Sequence, residues 1–304
     1  MASAKSTKAT LSGPAAHRNT KFWRSRFAPS PTGQLHLGHG YSAFCVWQAA
    51  GERPENFLLR IDDLDHSRCR PEFVDQIIED LRWLGLDWQA EPIAQSARLD
   101  RYAKALDALR AAGLVYPCWL TRAEISEIAG APHGPVQKAP HTRDQLGREE
   151  QAEREKRGLE PAWRLDMAAA LARAGQVSWA ELAGDDGQIL SQDAADQLDQ
   201  LGDLVLGRRD LAASYHLAVV LDDADSAVEL VLRGIDLRPF APLHRLLQLL
   251  LDLPETVFAH HPLVCDESGK RLAKRDDARA LARYRAEGMD RQALARLMPP
   301  VPRF

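Results

Sequence analysis

Arg26-Phe27-Ala28-Pro29-Ser30-Pro31-Thr32-Gly33, followed closely by His36-Leu37-Gly38-His39, is the stretch on which the fold turns. Ser25 to Ala28 predicts a short strand, broken by Pro29 and Pro31. From Gly38 the spacing of Tyr41, Phe44, Cys45 and Gln48 predicts a helix, with Gly51 as its stop. Asn56 to Ile61 is a near-continuous apolar run, as expected of a strand buried on both faces. Strand, helix and strand within this length form a βαβ unit, which implies a parallel sheet.

Working outward, Pro71 opens an amphipathic helix with Phe73, Ile77, Leu81 and Leu84 on one face. Leu99 to Ala112 repeats that pattern, and Gly113 ends it. Gly130 to His141 predicts a loop, and the charged run Arg148 to Arg157 a solvated helix face. Asp203 to Leu206, Tyr215 to Leu221 and Val228 to Leu232 read as strands, and Leu243 to Leu251 as a helix. Asp266 to Arg275 is a polar, basic loop, and no internal repeat is visible.

Bulk properties narrow the function classes. The 304 residues, 45% hydrophobic and 27% charged, describe an ordinary globular chain. A net charge of −4 gives no global basic field, so a nucleic-acid partner needs a local basic patch. Cys45, Cys69, Cys118 and Cys265 form no C-x-x-C pair and read as reduced thiols. No apolar run reaches the ~20 residues that span a bilayer, so no membrane partner and a cytoplasmic location are expected. Residues 1–24 lack an acid and the apolar stretch of a secretory signal. They read as a disordered basic tail, although an organelle transit peptide has similar composition.

The chemistry concentrates in two segments. His36 and His39 flank Gly38 where a strand meets a helix N-terminus, which offers free N–H groups and a positive dipole to a phosphate. Gly38 has no Cβ, so a flat nucleobase could approach the backbone. Imidazoles there can donate to phosphate oxygens as charge develops. Lys274, in Lys270-Arg271-Leu272-Ala273-Lys274-Arg275, suits a leaving pyrophosphate as a flexible point charge.

These residues carry a resemblance. His36 to His39 resembles the H-I-G-H signature of class I aminoacyl-tRNA synthetases, and Arg271 to Arg275 their K-M-S-K-S signature. Arg26 to Gly33, Leu59 to Asp65 with Arg68, and Phe73 to Trp88 are similar to segments of the glutamyl branch. The ordered set runs from about Arg26 to about Leu281 and is far more specific than H-x-G-H alone. With only 29 residues after Arg275, the chain is most similar to a truncated paralogous group. Its members activate glutamate without tRNA and attach it to queuosine in the anticodon of aspartate tRNA.

The resemblance implies glutamate contacts at Arg26, Ala28, Ser30, Asp62, Tyr215 and Arg233. It implies ATP contacts at His36, Gly38, His39 and Lys274, of which His36, His39 and Lys274 are catalytic. Arg233 suits a carboxylate gripped bidentately, and an acid at position 62 suits an ammonium group. ATP, Mg²⁺ bridging its phosphates, L-glutamate and queuosine-bearing tRNA(Asp) are the implied cofactors and partners. A monomer is expected.

Several residues depart from the pattern. Asp62 stands for a Glu, Arg271 for a Lys and Ala273 for a Ser. Ala241, Leu243 and His244 stand where a Thr and an Arg-Gln pair are expected. Of a Cys-Cys-Tyr-Cys zinc set only Cys118 remains, with Leu120 at the second position, so no structural zinc is expected. Other residues take plainer readings. Asp63 and Asp65 brace a loop, Trp83 and Trp88 pack, and Asp222-Asp223 ends a strand as a turn. Tyr215 could be core alone, and Arg233 could merely pair with Asp236.

The expected fold is a doubly wound parallel α/β class I synthetase core. Its predicted parts are a tail at 1–24, a first core half at 25–114, an inserted substrate-end subdomain at 115–200, a second core half at 201–240 and a helical part at 241–304 bearing the Lys274 loop. The rival readings are a minimal glutamyl-tRNA synthetase charging the 3′ end, a small-molecule nucleotidyltransferase and a non-catalytic tRNA-binding paralogue. The ligand count yields the first test: purified protein should carry no stoichiometric zinc, and chelators should leave its melting unchanged. One zinc per chain by metal analysis would overturn that reading.

Overall fold

The computed structural model describes residues 22–121, 123–125, 139–183, 188–208, 213–265, 279–302 and 304. Strand β1 (Ser25–Phe27) leads to helix α1 (Leu37–Ala49), then β2 (Phe57–Ile61), α2 (Pro71–Trp83), β3 (Ile93–Ala94), α3 (Leu99–Ala111) and β4 (Val115–Cys118). Next come α4 (Arg148–Lys156), β5 (Ala162–Leu165), α5 (Met167–Ala174), β6 (Ser178–Ala183), β7 (Gln188–Asp193), α6 (Ala195–Leu201) and β8 (Val205–Gly207). The chain continues through α7 (Tyr215–Asp225), β9 (Leu230–Gly234), α8 (Ala241–Leu250), β10 (Val257–His261), α9 (Leu281–Ala286) and α10 (Arg291–Ala295).

The main sheet runs β3-β2-β1-β9-β10-β6-β7. Every neighbouring pair is parallel except β6 and β7, an antiparallel hairpin at one edge. All five residues of β2 are buried, as the apolar run predicted. Alternation along the strands feeds two cores. Leu58, Val231 and Phe258 join one cluster with residues of α3, α7 and α8. Phe57, Leu59, Leu230, Leu232 and Ala259 join the other with α1 and α2. Helices therefore cover both faces, and the chain has the doubly wound, largely parallel α/β architecture expected.

Strands β4, β5 and β8 form a separate antiparallel sheet. Two strands between residues 115 and 200, β6 and β7, hydrogen-bond onto the main sheet. The helix α4 buries none of its residues, as its charge predicted. Near the C-terminus Leu281 N–H donates to Leu35 C=O at 2.8 Å, which returns α9 to the start of α1.

One element was misread. Tyr215 to Leu221 is the start of helix α7, not a strand. Leu217 to Leu221 is continuously buried, so its apolar residues show no period that separates helix from strand. Asp222 and Asp223 consequently do not form a turn but continue the helix, both buried. Asp222 accepts from Gln95 Nε2 at 2.8 Å, Arg98 Nε at 2.7 Å and the Tyr102 hydroxyl at 2.9 Å. Removing one partner from such a buried network costs about 3–5 kcal/mol, because the other charges lose their compensation. Asp222→Ala should lower the urea unfolding free energy by that order, and a loss below about 1 kcal/mol would show that the network is dispensable.

Candidate active site

A cleft of about 350 Å³ opens at the carboxyl ends of β1, β2 and β9. This is where open α/β sheets place ligands. Nearly all the residues singled out in the sequence line it: Arg26, Ala28, Ser30, His36, Gly38, His39, Asp62, Tyr215 and Arg233. Lys274 and its neighbours lie outside the described residues. Val264, shortly before those residues, lines the cleft, and Ala280, shortly after them, bridges to His36.

At one end, His36 is the N-cap of α1. Its Nδ1 accepts from Gly38 N–H at 3.1 Å, and its own N–H donates to His39 Nδ1 at 3.1 Å. The two rings lie 3.8 Å apart between centroids. A neutral imidazole whose Nδ1 accepts carries its proton on Nε2, so the cap fixes both tautomers. Gly38 matters here for a reason beyond nucleobase access. A Cβ at that position would meet the His36 ring at 3.1 Å, so the glycine lets the imidazole fold over the helix end.

The floor is ionic. Arg26 Nε on β1 donates to Asp223 Oδ1 at 2.9 Å, and Arg60 Nη1 on β2 donates to the same oxygen at 2.5 Å. Arg60 also clasps Asp62, with Nε at 2.7 Å from Oδ1 and Nη2 at 3.4 Å from Oδ2. Burial would lower the Arg60 pKa, but Asp62, Asp223 and Asp222 outweigh it and hold the guanidinium firmly charged. Burial would raise Asp223, but Arg26 and Arg60 carry it below the usual carboxylate range. Asp62 faces the cleft, although Arg60 already occupies one lone pair on each of its oxygens. Sequence reasoning missed Arg60 and Asp223, because nothing in their spacing shows that a strand arginine meets an aspartate 163 residues away.

At the other end, Arg233 on β9 is buried and donates from Nη1 to His244 Nδ1 at 3.0 Å, rather than pairing with Asp236. Its Nη2 is buried and has no hydrogen-bond partner among the described residues. Tyr215, at the first turn of α7, lines the cleft beside it. A Cβ at Gly234 would stand 2.6 Å from Asp236 Oδ1, so a side chain there would make that carboxylate turn away. A second cavity of about 300 Å³ shares Ser30, Asp62 and Tyr215 with the first and adds Arg68, Gln95 and Arg208.

The bracing and packing readings have structural counterparts. Asp63 accepts from Ser96 N–H at 2.8 Å, and Asp65 accepts from Arg68 Nε at 2.7 Å. Trp83 and Trp88 pack against the core. Cys118 lies beside Tyr116 and Leu120, and its sulfur accepts from Thr142 Oγ1 at 3.4 Å. No group of three or more His, Cys, Asp or Glu among the described residues could hold a metal ion. No helix among them is long and apolar enough to cross a membrane.

A family model described as tRNA synthetases class I (E and Q), catalytic domain, matches residues 23–299. The glutamyl-Q tRNA(Asp) synthetase of Rhodobacter capsulatus is 41% identical over 284 residues, covering 90% of this chain and 99% of that protein. The protein of that name in Nocardia farcinica is 42% identical, covering 91% of this chain and 86% of its own length. A glutamate--tRNA ligase of Parasynechococcus marenigrum is 35% identical, with 57% of its length covered. Among solved structures, the glutamate-tRNA synthetase of Elizabethkingia anophelis superimposes with a TM-score of 0.67 at 27% identity. The match covers 84% of this chain and 53% of that one, so this chain spans about half of its length. Methionyl-tRNA synthetase of Mycobacterium tuberculosis shares the fold at TM-score 0.53 and 11% identity.

Glu181, one imidazole away from Arg233, predicts a pH dependence. Burial would raise Glu181, but Arg238 and His260 outweigh burial and hold it at about 2. A depressed carboxylate stabilises the fold above its ordinary pKa and loses that contribution as pH falls through the folded value. The stability gap between wild type and Glu181→Gln should be full above pH 4.5 and close towards about pH 2. A gap independent of pH in acid titrations would refute this.

Proposed function

We propose a function from the premise that this chain belongs to the family of class I tRNA synthetases for glutamate and glutamine, and is an ATP-dependent ligase of the aminoacyl-tRNA synthetase type. The finer reading is activation of L-glutamate without tRNA, followed by transfer to queuosine in the anticodon of tRNA(Asp). The observation that carries it is Arg233, a buried guanidinium whose Nη2 has no hydrogen-bond partner among the described residues and which lines the same cleft as the imidazole-capped helix.

In this reading Arg233 receives the side-chain carboxylate of glutamate, with Tyr215 adding a phenolic hydrogen bond. Asp62 receives the α-ammonium group through its remaining lone pairs, and Arg26, Ala28 and Ser30 complete the walls. The α-carboxylate attacks the α-phosphate of ATP in line, and pyrophosphate leaves. His36 and His39 donate from Nε2 to phosphate oxygens, and Gly38 leaves the His36 ring its place over the α1 N-terminus. Lys274 takes charge on the leaving pyrophosphate. Mg²⁺ bound with ATP would supply positive charge to the phosphates. In the second step an acceptor hydroxyl attacks the adenylate carbonyl and AMP leaves. The cavity beyond Tyr215 adjoins that carbonyl position and carries Arg68 and Arg208 for an anionic backbone. The relatives that share most of their length with this chain support queuosine as the acceptor.

The test has two stages. Pyrophosphate exchange should proceed with glutamate, fail with glutamine and need no tRNA. Arg233→Ala should weaken glutamate activation by about 1.5–3 kcal/mol, the worth of a charge-assisted hydrogen bond. Equal exchange with glutamine would sink the role of Arg233. Labelled glutamate should then be found on the anticodon of tRNA(Asp) only when queuosine is present. Label at the 3′ end would return the chain to a minimal glutamyl-tRNA synthetase.

A further inference from the structure

Three buried arginines line the cleft, and they are held differently. Arg26 and Arg60 end on carboxylates. Arg233 ends on imidazoles. Its Nη1 donates to His244 Nδ1 at 3.0 Å, and its Nε reaches His260 Nε2 at 3.5 Å. His244 Nε2 lies 3.1 Å from His216 Nδ1. His260 Nδ1 lies 3.0 Å from Glu181 Oε1, so an imidazole separates Arg233 from that carboxylate.

A buried guanidinium needs acceptors for its N–H groups. A carboxylate would supply them but would also neutralise the charge and compete with an anionic substrate. A neutral imidazole supplies a lone pair and no charge. We propose that His244, braced by His216, and His260 are positioning residues that fix Arg233 through neutral acceptors and leave its charge for the substrate carboxylate. The proposal rests on the reading that Arg233 grips the glutamate side chain.

The hydrogen bonds dictate the tautomers. His244 accepts at Nδ1, so its proton is on Nε2 and is donated to His216 Nδ1. His216 then also carries its proton on Nε2. His260 accepts at Nε2 and donates from Nδ1 to Glu181. Burial, with Arg233 adding to it, pushes His244 well below the ordinary imidazole range and His216 to about 4. Both rings are therefore neutral acceptors at neutral pH. His244 stands where the resemblance leads one to expect glutamine, another neutral acceptor.

Pyrophosphate exchange should be measured on full-length wild type, His244→Asn, His244→Leu and His244→Asp, with separate KM values for glutamate and ATP and a melting curve for each. The amide oxygen of His244→Asn lies near the place of Nδ1 and should keep the glutamate KM within a few-fold. His244→Leu should raise it roughly tenfold or more, the scale of one lost charge-assisted hydrogen bond. His244→Asp, although the better acceptor, should raise it most, with the ATP KM little changed. Equal glutamate KM for the nearly isosteric Asn and Asp variants would overturn the charge argument. An unchanged KM in His244→Leu would overturn the positioning role. Nitrogen-15 imidazole spectra of the wild type provide a readout apart from activity, even if a variant fails to fold. The expected result is His244 and His216 protonated at Nε2 alone, and a proton on His244 Nδ1 would overturn the arrangement. The expected tautomers in a wild type that exchanges no glutamate would instead overturn the proposed function, and the substrate role assigned here with it.

Discussion

Asp223 accepts hydrogen bonds from two arginines on adjacent strands, and the cleft is built around that junction. Arg26 and Arg60 rise from β1 and β2, while Asp223 comes from α7 on the face above. Taking these charges out of water is costly, so the junction contributes less net stability than its distances suggest. Its effect is on register. An aspartate that must meet both guanidinium groups admits one setting of α7 over the sheet, and that setting carries Tyr215 to the cleft at the helix's first turn. Asp222, one residue earlier, binds the same helix to α3 through Tyr102 and to the turn before α3 through Arg98. Two adjacent acids therefore fasten one helix in two directions.

The cleft is polar in a directed sense. At the α1 end, two imidazoles of fixed tautomer line the cavity over a capped helix N-terminus. At the β9 end stands a guanidinium held by neutral rings. Asp62 lines the same cleft, clasped by Arg60. The lining thus offers donors to anionic groups and a carboxylate to a cationic one. An acidic amino acid beside a nucleotide phosphate carries groups of both kinds. Preorganised dipoles of this kind need no reorientation when charge develops.

Much of this was legible in the sequence because local signals carry it. Pro29, Pro31 and Gly33 break β1, and the helix spacing after Gly38 places α1 within a residue of its observed start. The apolar run Asn56 to Ile61 contains β2, and the lining of the cleft follows from the ordered motifs. Tyr215 to Leu221 was not legible as a helix, because burial on every side erases the period of 3.6. The roles of Arg60, Asp222 and Asp223 were hidden for a related reason. A buried ion pair is a statement about two distant residues, and each of them alone resembles surface charge or turn chemistry. His216 carried no motif and His244 only a departure from one, and only their distances reveal the chain of rings.

The strand order has a kinetic side. β1 lies between β2 and β9, and Ser25 binds Leu230 across 205 residues of chain. Arg26 finds Asp223 only across 197. On a ribosome, which emits ~5–20 residues per second, the first strand therefore waits on the order of ten seconds for its second neighbour. Through that interval one edge of β1 is open and its guanidinium has no counterion from α7. Contacts so far apart in sequence slow the closing of a parallel sheet. The same arginine that sets the site thus places a hydrated charge on an unfinished edge, where it discourages pairing with another chain until the proper partner has been made.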